Sequence, residues 1–261
     1  MFKGIVCPLS KKKIDLPALH PCQNCKNPCV PRPVIKALIS EKVFKDDVFS
    51  VTELTMPIRI IYLRRKYDYY VSPYSLVNTG IGLAVHKAVE DKGGGDKRYL
   101  FEKDNAFEVG VEGVKISGTP DLYDTLTNTL YDHKVVGLYK AEKIKRGEES
   151  GYNLQLNAYR IFKFPQAKAM KFVVIIKDFS PSSLTPSISF PIILVNVPKL
   201  DDELVKKTLV NKAKAVKQLL KEGGNCPICS KEERWNGRLC DFYCDVREFC
   251  QLEIPKGGDD V

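Results

Sequence analysis

The sequence predicts an α/β (α+β) fold, a central mixed β-sheet flanked by helices, with a cysteine-rich, metal-bound segment at each end. Three observations carry that expectation. Helical patterns come first, then strands, a helix, strands and a last helix. The nine cysteines are confined to the ends: Cys7, Cys22, Cys25 and Cys29 near the start, and Cys226, Cys229, Cys240, Cys244 and Cys250 near the finish. The 261 residues are 44% hydrophobic and 28% charged, a globular mix long enough for one well-cored domain.

Residues 1–33 are rich in Pro, Lys and Cys and show neither helical nor strand periodicity, so they read as a separate N-terminal metal-binding segment. Residues 34–222 form the core, and residues 223–261 a C-terminal cysteine-rich segment and tail. Within the core, Ser50-Val51-Thr52-Glu53 is a capping box. It opens a helix expected to continue to Tyr67, with Leu54, Ile58, Ile61 and Leu63 apolar. A second helix is expected over 79–91, stopped by Gly93-Gly94-Gly95. Residues 99–136 read as strands with a turn at 125–128, because β-branched and aromatic residues partly alternate there. A helix over 153–162, strands over 171–179 and 188–197, and an amphipathic helix over 201–222 complete the order. That last helix places Leu209, Ala213, Val216 and Leu220 on one face.

Charge and compartment narrow the function. Lys and Arg number 41 against 32 Asp and Glu, a formal charge of +9 that favours a polyanionic partner, nucleic acid first. No apolar run is long enough to span a membrane, and the first residues lack a signal-peptide core. A cytoplasmic location without membrane association is expected. Disulfides are rare in that reducing compartment, so clustered cysteines there point to metal.

The most specific local feature is Gly118-Thr119-Pro120-Asp121 followed by Asp132-His133-Lys134. If residues 116–136 turn at Leu126-Thr127, paired residue numbers sum to 253 and Asp121 faces Asp132 across the hairpin. Asp132 and Lys134 then share a face. Two carboxylates that close repel unless a cation lies between them, and a hard Mg²⁺ or Mn²⁺ takes such oxygen ligands. A neighbouring lysine orients or deprotonates water and stabilises charge on phosphate, which suits phosphodiester hydrolysis.

This arrangement resembles the PD-(D/E)xK nuclease superfamily in its RecB-like branch, which includes CRISPR-associated iron–sulfur exonucleases and related viral and repair nucleases. Pro120-Asp121 and Asp132-His133-Lys134 match the name motif. His86, in Gly80-Ile81-Gly82-Leu83-Ala84-Val85-His86, matches the branch's helical histidine, and Gln155 with Tyr159 matches its Gln-x-x-x-Tyr. The resemblance implies a restriction-endonuclease-like core. It implies metal ligation by His86, Asp121, Asp132 and the backbone carbonyl of His133, with Lys134 on the attacking water. Gln155 and Tyr159, one helical turn apart, would contact DNA or support the lysine. Glu102 and Glu108, on the strand before the motif, read as a solvated strand face, with extra acidic ligands as the alternative.

The implied activity is that of a Mg²⁺- or Mn²⁺-dependent deoxyribonuclease, with exonuclease action on single-stranded DNA or duplex ends favoured over endonuclease action. The alternative is a catalytically inactive nucleic-acid-binding module with structural metal clips. Partners would be DNA and proteins of DNA repair, replication or CRISPR adaptation.

In the resembled branch, one cysteine before the core and three after it bind a 4Fe–4S cluster. Here Met56 stands where the first is expected, and Cys240 falls one residue early. Four of Cys226, Cys229, Cys240, Cys244 and Cys250 would therefore hold either a 4Fe–4S cluster or Zn²⁺. Cys7, Cys22, Cys25 and Cys29 form a full set for structural zinc, with His20 spare. Phosphate contacts are expected from Arg59, Arg64, Arg65 and Lys66 and from Lys140, Lys143, Lys145 and Arg146. Tyr67, Tyr69, Tyr70 and Tyr74 are interleaved with the first group for stacking on bases.

Overall fold

The structure is a computed structural model and describes residues 1–16, 19, 22, 24–38, 45, 47–180, 182 and 188–252. His20, the side chain of Tyr74 and the tail from residue 253 lie outside the described residues. The elements run β1 (Phe2–Val6), β2 (Lys13–Asp15), α1 (Arg32–Leu38), β3 (Val48–Ser50), α2 (Val51–Leu54), α3 (Ile58–Lys66), β4 (Tyr69–Val71) and α4 (Leu76–Gly93). They continue with β5 (Tyr99–Phe101), α5 (Glu102–Asn105), β6 (Phe107–Val111), β7 (Val114–Gly118), β8 (Leu122–Asp124), β9 (Thr129–Val136), α6 (Leu138–Lys145) and α7 (Ser150–Phe162). β10 (Ala169–Ile176), β11 (Ile192–Asn196), α8 (Asp202–Glu222) and α9 (Arg247–Leu252) follow. The class is mixed α/β, as the order of sequence patterns predicts.

The chain divides into two compact units, one of residues 47–55 and 81–211, the other of 1–46, 56–80 and 212–261. The first unit holds a five-stranded mixed sheet in the order β11-β10-β9-β8-β5 and a three-stranded sheet in the order β3-β7-β6. β9 and β10 pair in parallel, joined through α6 and α7, while β8, β5 and β11 attach antiparallel. β10 alternates strictly, burying Met170, Phe172, Val174 and Ile176 on one face. α7 packs on β9 and on α2, with Leu156 and Ala158 fully buried.

The second unit has a three-stranded sheet, β2-β1-β4, over a small core of Ile5, Ile14, Leu19 and Ile35. The absence of periodicity over residues 1–33 misses β1 and β2, because strands of five and three residues among Pro and Lys carry too few positions to show alternation. Gly4 is needed where they meet, since a Cβ there would lie 1.9 Å from the Ile14 carbonyl oxygen. A second core joins α3 to the C-terminal segment through Ile60, Tyr62, Leu63, Tyr69, Cys226 and Val246.

Ser50 caps α2 as the capping box predicts, its Oγ accepting from Glu53 N at 3.1 Å. The single long helix expected from Ser50 to Tyr67 is two, because Pro57 offers no N–H and disfavours a helical Met56. The expected strand run is likewise interrupted. α5 takes residues 102–105, and Glu112 and Gly113, at φ 44° and 83°, make the tight β6–β7 turn.

Candidate active site

The site is built on the β8–β9 hairpin. Its pairs are Leu122 with Tyr131, Tyr123 with Leu130 and Asp124 with Thr129, so every pair sums to 253. Asp124 fixes the turn. It accepts from Leu126 N at 2.9 Å, Thr127 N at 3.2 Å and Thr127 Oγ1 at 2.8 Å, and it takes both Arg98 Nε at 2.9 Å and Nη2 at 2.6 Å. These donors hold the Asp124 carboxyl well below the usual carboxylate range, Arg98 foremost. Asn105, fully buried at the end of α5, donates to the carbonyls of Leu100 at 3.0 Å and Pro120 at 3.1 Å, tying down the loop that carries Asp121.

With the register set, Asp121 Oδ2 accepts the backbone N–H of His133 at 2.5 Å. α4 brings His86, whose Nδ1 lies 2.5 Å from Glu102 Oε1 and 3.6 Å from Asp121 Oδ1. The His133 ring meets the His86 ring edge-on at 5.4 Å, and its Nδ1 lies 3.7 Å from Asp121 Oδ2. One ligand atom each from His86, Asp121 and His133 falls within 4.8 Å of the others. His133 Nδ1 is buried with no hydrogen-bond partner.

Lys134, on the same strand as Asp132, forms a second cluster. Its Nζ is 2.6 Å from Asp132 Oδ2, an ion pair without good hydrogen-bond geometry, and donates to Gln155 Oε1 at 3.1 Å. Gln155 Nε2 donates to Tyr159 OH at 3.0 Å and Thr52 Oγ1 at 3.1 Å. The Lys134 ammonium also lies 4.4 Å from the Tyr152 ring centroid.

Electrostatics follow from burial and charge. Burial first, and then Asp132, push the Asp121 carboxyl well above the usual range. Burial opposes the charge of His86, but the Glu102 hydrogen bond and Asp121 outweigh it and raise its pKa to about 8. Burial, reinforced by the charge of His86, lowers His133 to about 4. Burial also disfavours the Lys134 ammonium, yet Asp132 more than compensates and raises its pKa. Lys134 is thus held in its ammonium form beside Asp132 and donates to Gln155. Burial lifts the Tyr159 hydroxyl to about 12.

The fold thus brings together His86, Asp121, Asp132, His133, Lys134, Gln155 and Tyr159, all of which the sequence singles out. His133 differs from expectation in offering a ring nitrogen to the cluster. Three neighbours are missed or ranked too low. Glu102 reads as a solvated strand residue but bonds His86 from α5, and Thr52 is noticed only as part of a capping box. Tyr152 lies three residues before Gln155 on one helix, a spacing that could have flagged it. Glu108 is exposed, as expected.

The remaining predicted residues lie in other settings. Arg59 is 2% exposed, its guanidinium held by Cys250 Sγ at 2.9 Å and by the carbonyls of Cys226 at 2.5 Å and Cys250 at 3.1 Å. Arg64 makes a bidentate pair with Asp245 at 3.0 and 2.8 Å and donates to Met56 Sδ at 2.8 Å. Both are engaged inside their unit, which removes them from the expected phosphate contacts. Arg65 donates to the Lys45 carbonyl. Tyr69 is buried, Tyr67 stacks on Phe249 at 4.6 Å and Tyr70 donates to Asp15 at 2.6 Å, so these rings serve packing and local bonds. On α6 and just beyond it, Lys140 pairs with Glu149, Lys143 lies over Tyr139 and Arg146 pairs with Glu148.

None of the nine cysteines, all among the described residues, forms a disulfide. Cys226, Cys229, Cys244 and Cys250 share the apolar cluster around α3, whereas Cys7 and Cys22 pack against the β1–β2 core. Among the described residues, no three cysteine sulfurs come within 4.8 Å of one another. No helix among the described residues is long and apolar enough to cross a membrane.

The sequence matches no protein-family model and no curated protein. Among solved structures, SSO0001 aligns with a TM-score of 0.55 at 17% identity, over 85% of this chain and 95% of its own. An alkaline exonuclease, LHK-Exo from Laribacter hongkongensis, aligns at 0.41 and 12% identity, over 79% and 95%. A phage-related exonuclease from Haemophilus somnus 129PT aligns at 0.37 and 19% identity, over 56% and 74%. The likeness to SSO0001 shows a shared fold.

Proposed function

We propose that this chain is a Mg²⁺- or Mn²⁺-dependent DNA nuclease of the PD-(D/E)xK type in its RecB-like branch, acting as an exonuclease on single strands or duplex ends. The observation that carries the reading is the buried Asp132–Lys134 pair set beside Asp121, His86 and His133. The donor set suits a divalent ion. Two close buried carboxylates favour a cation between them, and His133 Nδ1 is an unpartnered buried donor atom. The mixed nitrogen and oxygen ligands suit Mn²⁺ as well as Mg²⁺.

His86, Asp121, Asp132 and His133 would hold the ion, which when bound supplies a polarised phosphate and a more acidic water. The chain's own residues do the rest. Asp132 keeps Lys134 charged, and the ammonium orients the attacking water and stabilises negative charge gathering on the phosphate oxygens. Gln155, braced by Tyr159 and Thr52, holds Lys134 in place. Lys140, Lys143, Lys145 and Arg146 follow β9 directly and supply backbone-phosphate contacts.

At the C-terminal end, four of the five cysteines would hold a 4Fe–4S cluster or Zn²⁺, and Cys7, Cys22, Cys25 and Cys29 would hold Zn²⁺. The thiol chemistry supports this. Burial, and then Glu233 and the neighbouring Cys250, Cys240 and Cys244, push Cys229 up to about 12, a crowding that a cation relieves. The Arg59 guanidinium at Cys250 Sγ would balance thiolate charge.

The test is cleavage of end-labelled single-stranded DNA by the full chain, with Mn²⁺ and with EDTA. Cleavage with Mn²⁺ alone, lost in Lys134→Ala, is expected. No cleavage by the wild type with DNA binding retained would instead favour an inactive binding module.

A further inference from the structure

Three aromatic side chains of the C-terminal segment stand together in solvent. Trp235 is 50% exposed, Tyr243 59% and Phe242 74%. The Trp235 and Tyr243 centroids are 5.7 Å apart, and those of Phe242 and Tyr243 6.4 Å, with ring planes inclined at 59° and 66°. A compact turn fixes them. Gly237 N and Leu239 N both donate to the Arg234 carbonyl, and Arg238 N donates to that of Trp235. Trp235 and Asn236 adopt φ of 52° and 55°, a left-handed conformation that Asn tolerates but that is costly for a bulky Trp. Large exposed rings held in such a backbone mark a binding surface rather than failed packing.

The surrounding charges identify what covers the rings. Every carboxylate between residues 230 and 247 is engaged within the chain. Glu232 accepts from Ser230 Oγ at 2.9 Å, Glu233 accepts from Ser230 N at 2.8 Å, Asp241 lies 3.4 Å from Arg247, and Asp245 takes Arg64. Arg234 and Arg238, which bracket Trp235 in sequence, make no side-chain hydrogen bond or ion pair among the described residues, and Arg234 Nε is buried without an acceptor. Exposed rings beside guanidinium donors with no partner among the described residues match an unpaired base and its phosphates. A duplex offers no free base faces, and a purely apolar protein surface would leave the guanidinium groups unanswered.

We infer that Trp235, Phe242 and Tyr243 form a stacking platform for unpaired bases of single-stranded nucleic acid, with Arg234 and Arg238 as its phosphate contacts. The platform goes beyond the cleavage reading and stands without it.

Trp235 is the only tryptophan, so its emission reports directly on stacking. The full chain, without added divalent metal, is titrated with a short oligothymidylate and with an abasic oligomer of equal length. Saturable quenching by oligothymidylate is expected, and the abasic oligomer should bind about tenfold more weakly without quenching. Phe242→Ala, at the most exposed ring, and Arg238→Glu should each weaken oligothymidylate binding by about tenfold. Equal affinity for the two oligomers, or DNA binding that leaves the emission unchanged, would overturn the platform. So would emission that depends on protein concentration alone, the mark of a second copy on these rings. Lys134→Ala should keep the quenching and lose cleavage. Quenching by a wild type that does not cleave would sink the nuclease reading and leave the platform intact.

Discussion

Asp132 holds Lys134 in its ammonium form, and burial first, then the charge of Asp132, keeps Asp121 from ionising. Each carboxylate and the ammonium thus depend on the others, and single truncations should act severely. Lys134→Ala should reduce cleavage by about a thousandfold or more while DNA affinity measured by gel shift changes little. Glu102 bonds His86, so in the proposed centre it would act through that ring. Glu102→Ala should weaken Mn²⁺ binding measured by calorimetry by about 10–100-fold, and Glu102→Gln, which can still hydrogen-bond His86, should recover part of it. The ordered spacing of His86, Asp121, Asp132-x-Lys134 and Gln155-x-x-x-Tyr159 made these residues legible. Glu102 was legible only as an alternative acidic ligand, because only the α5 turn, interrupting an apparent strand, aims it at α4. Arg59 reads as a surface contact because arginines are rarely buried, and only the tertiary fold reveals the carbonyls and thiol that hold it.

The β8–β9 hairpin was legible to the residue, because a turn at Leu126-Thr127 leaves one register that keeps Leu130 and Tyr123 buried. Asp124 is its clamp, and the pH dependence follows with a definite sign. Its folded-state pKa is depressed, so it stabilises fully above the unfolded carboxylate value of about 3.9 and loses that contribution as pH falls below it. Asp124→Asn should flatten the acid limb of a stability-against-pH curve measured by urea unfolding. If the limb kept its slope, Asp124 would not be the controlling group. The β1–β2 pair was not legible, being short and embedded among prolines and cysteines. Gly4→Ala should cost about 1–3 kcal/mol by urea denaturation, because the added methyl meets a backbone carbonyl that cannot yield cheaply.

Across the full chain, the nuclease-like residues lie in one compact unit and all nine cysteines in the other. The cysteine ends stand out in the sequence at once, and both ends of the chain contribute to a single unit. If metal fastens those ends, prolonged chelation should lower the unfolding temperature of the protein by about 5 °C or more, and Cys244→Ser should reproduce part of that loss. The central claim is the metal-dependent cleavage centre on β9. Its most direct test is the single-turnover cleavage rate of end-labelled single-stranded DNA in Mn²⁺, comparing wild type with Asp132→Asn. We predict metal-dependent cleavage by the wild type and a fall of about a thousandfold or more in the variant, with DNA still bound. Cleavage by Asp132→Asn within a few-fold of wild type would contradict the account and place the chemistry elsewhere.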